Sequence, residues 1–174
     1  CLFESYQGFR AREMRQGRGR LIALSYRPDP GELTVFFREP TTRREWKTTA
    51  RVALPENAWC HLALQWTPKE TAEAYVDGRK VLTLAIPEWL GCRLDDEAVL
   101  VPNDENAQEF FLGCSARGAR ISIDKAADEP FVTGAVDLFR ASTGKRYTGD
   151  FTPPRTLSAD AATRALFTFD RSFE

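Results

Sequence analysis

An all-β, antiparallel domain is the fold class this sequence predicts, and three observations between residues 58 and 86 carry the prediction. From Cys60 to Trp66 the chain alternates, with Leu62, Leu64 and Trp66 on one face and His61, Ala63 and Gln65 on the other. Thr67-Pro68-Lys69-Glu70 then breaks the run, because Pro68 has no N–H to give to a ladder. Ala74-Tyr75-Val76 resumes as a strand, Asp77-Gly78 supplies the positive φ angles of a two-residue type I′ turn, and Val81 to Ile86 returns. Three consecutive antiparallel strands joined in this way form a meander.

The same residues carry a family resemblance. Trp59-x-His61-Leu62-Ala63-Leu64-x-Trp66, followed by Tyr75-Val76-Asp77-Gly78-Arg79-Lys80-Val81, resembles the signature of laminin G-like domains of the concanavalin A-like superfamily. Phe111-Leu112-Gly113 and Gly134-Ala135-Val136-Asp137-Leu138-Phe139-Arg140 resemble that family's closing strands. Arg146 to Pro154 resembles the tail of many bacterial members, and Thr163 to Asp170 the segment that follows it. The resemblance spans most of the chain from Leu2 onward. It implies a two-sheet antiparallel β-sandwich of jelly-roll type.

Taken in order, the elements fit this frame. Cys1-Leu2-Phe3-Glu4 reads as a strand, with no flexible tether after Cys1 of the kind a lipid-modified N-terminus would need. Related domains open with a further strand or two, so residues 1–174 read as a single domain cut from a longer chain. Residues 155–174 form a tail strand that either closes the sandwich or begins a following domain. The length fits one domain with a sizeable core. No uninterrupted apolar run approaches the roughly 20 residues of a membrane span, so no membrane insertion is expected.

The net charge is only −1, but it is unevenly spread. Residues 1–52 hold eleven Lys/Arg against six Asp/Glu, whereas residues 93–137 hold four against ten. Arg10, Arg12, Arg15, Arg18 and Arg20, around Gly17 and Gly19, read as a solvated loop that keeps a strand edge from pairing. A contact with sulfated glycan or nucleic acid would need a basic surface with interleaved aromatics, and only Phe9 lies close. No nucleic-acid partner is expected.

The acidic half offers two readings. Asp95, Asp96, Glu97, Asp104 and Glu105 precede Asp124, Asp128 and Glu129. Calcium takes six to eight oxygen ligands, which sandwich-rim loops can supply, and related domains often hold it there. Asp124, Asp128 and Glu129 are the expected calcium ligands; a solvated acidic surface fits them equally well. Cys114-Ser115-Ala116-Arg117 stands where pentraxins carry their Glu-Gln-Asp ligand run.

Catalysis is not expected. Retaining glycosidases of this superfamily place carboxylates on alternate residues of one strand through Glu-x-Asp-x-x-Glu, and no glutamate here is followed two residues later by aspartate. Asp95-Asp96-Glu97 lies in a loop-like stretch. His61, the only histidine, reads as a satisfied core or sheet-face residue rather than a general base. Cys1, Cys60, Cys92 and Cys114 lack C-x-x-C spacing; they fit two disulfides or buried free thiols.

What remains is binding. Sugars stack on exposed aromatic faces. Trp46, within Arg43-Arg44-Glu45-Trp46-Lys47, and Trp89, after Pro87, are the candidate platforms, although Trp46 also fits a role covering the sandwich edge. Trp59 and Trp66 are expected in the core, and Tyr147 is expected to dock the tail on the sheet. The expected role is non-catalytic recognition or adhesion in a larger extracellular or cell-envelope protein. The resemblance implies carbohydrate or glycoprotein as the expected ligand, with neighbouring domains of the same chain as further expected partners; a purely structural module is the alternative.

Overall fold

The structure, a computed structural model, describes residues 2–7, 20–38, 45–67, 70–87, 108–112 and 135–169. These residues form ten strands and no helix: β1 Phe3–Gln7, β2 Arg20–Arg27, β3 Glu32–Arg38, β4 Glu45–Arg51, β5 Leu62–Trp66, β6 Thr71–Val76, β7 Arg79–Ala85, β8 Gln108–Leu112, β9 Leu138–Ser142 and β10 Thr163–Thr168. All pairings among them are antiparallel. A five-stranded sheet has the order β4-β3-β2-β1-β8, a three-stranded sheet the order β5-β6-β7, and β9 pairs with β10. The described residues are thus all-β, with antiparallel sheets compatible with a β-sandwich.

The five-stranded sheet shows why alternating apolar residues become strands. Ile22 lies opposite Phe37 and Leu24 opposite Val35, so both strands turn branched and aromatic side chains to one face. Leu33, Val35 and Phe37 are essentially inaccessible to water. Thr34 and Thr49, paired in register on β3 and β4, share a hydroxyl hydrogen bond of 2.9 Å on the opposite face. The buried face shares one hydrophobic cluster with Ala72, Ala74 and Val76 of β6 and Leu82 and Leu84 of β7. Fully burying a side chain of valine or leucine size contributes about 1.5–3 kcal/mol, so this cluster is the main source of stability.

The meander forms where the sequence places it. Leu62 pairs with Val76 and Trp66 with Ala72, and Leu62, Leu64 and Trp66 pack on the core. The turn at Asp77-Gly78 has φ of 47° and 78°, as a type I′ turn requires. β6 and β7 each begin ahead of the expected strand, at Thr71 and Arg79. The expected closing strand from Gly134 to Arg140 is instead β9, displaced toward the C-terminus.

Cys1, Arg10, Arg12, Arg15, Arg18, Trp89, Cys92, Asp95, Asp96, Glu97, Asp104, Glu105, Cys114, Asp124, Asp128 and Glu129 lie outside the described residues.

Candidate functional site

β6 is buried on both faces, and its outer face is the most polar buried region of the described residues. Ala72, Ala74 and Val76 point to the core; Glu73 and Tyr75, on the other side, are covered by residues 145–151. Glu73 is 6% exposed. Its Oε2 accepts hydrogen bonds from Gln65 Nε2 at 2.8 Å and Tyr75 OH at 3.0 Å, and an ion pair from Lys145 Nζ at 3.1 Å. Lys80 Nζ donates to Oε1 at 3.0 Å. Burial alone would raise the Glu73 pKa, but these donors outweigh it and hold the carboxyl down at about 2. Burial and the neighbouring carboxylate push the Tyr75 phenol up to about 12.

Gln65 fixes the covering segment. Its Oε1 accepts from the backbone N–H groups of Arg146 at 3.2 Å and Tyr147 at 3.0 Å, while Nε2 donates to the Tyr147 carbonyl at 2.6 Å. One side chain thus satisfies backbone groups that an irregular segment would otherwise bury unpaired. Asp150 Oδ1 accepts from the Lys80 N–H, and the Phe151 N–H donates to the Gly78 carbonyl, each at 2.8 Å. The Tyr147 and Phe151 rings stack at 3.6 Å over Tyr75 and His61. Tyr147 therefore docks the tail on the sheet.

Beyond this, Arg146 grips Asp160 through two parallel bonds of 2.8 and 2.7 Å and also donates to Ser142 and Thr163. Hydrogen bonds from Arg146 and Thr163 hold the Asp160 carboxyl well below the ordinary carboxylate range. The arrangement ties the 143–162 connection to β9 and β10. Both oxygens of Glu73 are engaged, and through Gln65 and Lys145 the cluster ties the tail to the sheet.

The three described tryptophans part company. Trp59 is 70% exposed, which corrects its expected place in the core. The alternation runs only through β5, which begins at Leu62; Trp59 precedes it, two residues after Asn57 at a φ of 56°. Trp66 packs against the core as expected. Trp46, on β4, is 39% exposed and its Nε1 donates to the Ala85 carbonyl on β7 at 2.8 Å. Its indole bridges the two sheets at their edge while one part still meets solvent. Trp59 and Trp46 are therefore the exposed indoles among the described residues, and Trp59 is the one that sequence reasoning missed.

The segment carrying Trp59 is braced. Asp77 Oδ1 accepts from the His61 N–H and the Asp77 N–H donates to the His61 carbonyl, both at 2.8 Å. Cys60 is a free thiol whose pKa is raised by burial and by Asp77. His61 is half-buried, but its Nδ1 is sealed from solvent without a hydrogen-bond partner, so the ring is not satisfied as expected. A separate shallow hollow of about 420 Å³ lies among Tyr26, Pro30, Arg51, Leu54 and Glu56. Among the described residues, no three His, Cys, Asp or Glu side chains gather as a metal site would require.

Comparison with protein-family models, with curated proteins and with solved structures finds no match.

Proposed function

We propose that this chain is a non-catalytic recognition module, a jelly-roll β-sandwich of the laminin G-like type, that binds carbohydrate or glycoprotein. It would serve within a larger extracellular or cell-envelope protein. The observation that carries the reading is Trp59, whose indole stands 70% exposed on a segment pinned by the reciprocal Asp77–His61 bonds. A large apolar ring held in water on a braced backbone is the surface on which a sugar face stacks with little ordering cost. Trp46 and Trp89 remain further candidate platforms, and calcium held by Asp124, Asp128 and Glu129 belongs to the same proposal.

The test is a glycan panel read by thermal shift and titration, with calcium and with chelator. Binding to the folded state raises the melting temperature with ligand concentration. Trp59→Ala should leave the melting temperature of the free protein unchanged and weaken glycan binding about tenfold or more, as loss of a central aromatic contact does. A panel without a single hit, or unchanged affinity in the variant, sinks the reading.

A second reading, a structural module that packs on a neighbouring domain, is favoured by a different surface. Phe167 lies opposite Phe139 on the paired strands β10 and β9, and Phe167 and Phe169 stack at 6.4 Å. Phe167, Phe169 and Val136 are all exposed, an apolar face of the kind that marks an interaction surface. Replacing Phe167 and Phe169 together by serine should change the stability of the isolated chain by less than about 1 kcal/mol. A larger loss on chemical denaturation would show that the face is core, and would end the structural-module reading.

A further inference from the structure

His61 is the only histidine in the chain, and its ring is packed against the docked tail. Phe151 meets it edge-to-face at 5.5 Å and Tyr147 at 6.5 Å. Its Nδ1 is shut away from water with no acceptor in reach. A neutral imidazole tolerates this, because an unpaired lone pair is all that is lost. An imidazolium fares worse: protonation adds an N–H donor at a nitrogen with no acceptor, and a positive charge where the ring is partly shut off from water. The Phe151 and Tyr147 rings both belong to the tail, so opening of that segment would uncover this side of the imidazole to water.

We propose that His61 is a pH-sensitive latch: as the neutral imidazole it holds residues 145–151 on the outer face of the meander, and mild acidification loosens them. Among the described residues, the charged groups facing the ring are Asp77, on the β6–β7 turn, and Arg140, on β9. Asp77 favours the protonated ring but already spends Oδ1 on the His61 N–H, while Arg140 opposes it. The adjoining Cys60 thiol has its pKa raised and stays neutral. Burial, the largest influence, pushes the His61 pKa below its ordinary 6.5.

The sign follows from that direction. The open form takes up the proton more readily than the docked form, so docking is strongest above about pH 6.5 and weakens as pH falls through that value. The groups with resolved shifts around the tail stay silent in this window: Glu73 is held at about 2, Asp160 is held well below the ordinary carboxylate range by Arg146, and Tyr75 is raised to about 12. The remaining hydrogen bonds persist, so the response is a graded rise in local opening rather than release.

Nuclear magnetic resonance on the intact chain tests this without interference from other histidines. The imidazole of His61 is titrated, and hydrogen-exchange protection of the Tyr147 and Phe151 amides is compared from about pH 7.5 to about pH 5. We expect the ring to titrate below 6.5 and protection to fall about tenfold for each unit of that depression. His61→Phe keeps the ring packing and should give flat protection; His61→Gln serves the same purpose should phenylalanine not fold. Titration at or above 6.5, protection unchanged with pH in the native chain, or a fall that persists in both variants overturns the proposal.

Discussion

Replacing Glu73 by alanine lowers the unfolding free energy by about 3 kcal/mol, toward the lower end for loss of one partner of a buried ionic cluster. Lys80 and Lys145 retain about a third of their exposure and recover water when the carboxylate goes. The Gln65 amide and Tyr75 hydroxyl do not, because residues 145–151 cover them, and that desolvation makes up most of the cost. Glu73→Gln keeps the shape and loses the charge, and costs about 2 kcal/mol. The carboxyl sits at about 2 in the folded chain against an ordinary 4.5, so the unfolded chain binds its proton more readily. This contribution is present above about pH 4.5 and is lost as pH falls toward 2, a change of about 3 kcal/mol. Urea titrations of native chain and Glu73→Gln across that range give the difference directly. Parallel acid curves, or an alanine variant within about 1 kcal/mol of native, contradict the account.

Gly78→Ala costs about 3 kcal/mol as well, for a backbone reason. Gly78 has a φ of +78°, and a Cβ there would overlap the Phe151 carbonyl and lie 3.0 Å from Pro153 Cδ. A left-handed alanine accounts for about 1 kcal/mol of that cost. The rest is overlap with main-chain atoms, which cannot rotate aside as a flexible side chain would. Gly144 is the control: it shares the φ of +78° but has nothing within 4 Å of the added carbon. Gly144→Ala should therefore lose only the conformational part. Equal melting-temperature losses in the two variants would mean that the close approach of the tail to the β6–β7 turn is not what the glycine serves.

Local patterns in the sequence carry the meander well, because period-two alternation and an Asp-Gly turn are properties of neighbouring residues. The pairing of Phe3 with Leu112 joins segments far apart in the chain, and nothing local announces it. Trp59 shows the limit from the other side. An alternating window does not mark where pairing starts, and the strand begins three residues later. Gln65 and Glu73 look like the solvent face of a hairpin, since their burial depends on a segment some eighty residues away. One cue was present: glutamate and tyrosine two apart on a strand, opposite a glutamine, with a single alanine between them. Of the expected site residues, only Trp46 falls among the described ones.

The tail that closes over Gln65 belongs to the last third of the chain, 82 positions beyond it. During synthesis the meander is complete long before its outer cover exists, and contacts of such separation form slowly. Whatever waits on that face must tolerate water in the interval. A carboxylate, an amide and a phenol do so, whereas an apolar face of equal area would be sticky to other nascent chains. The ionic cluster around Glu73 thus offers water polar groups while that face is open, and becomes a clasp only once residues 145–151 are in place.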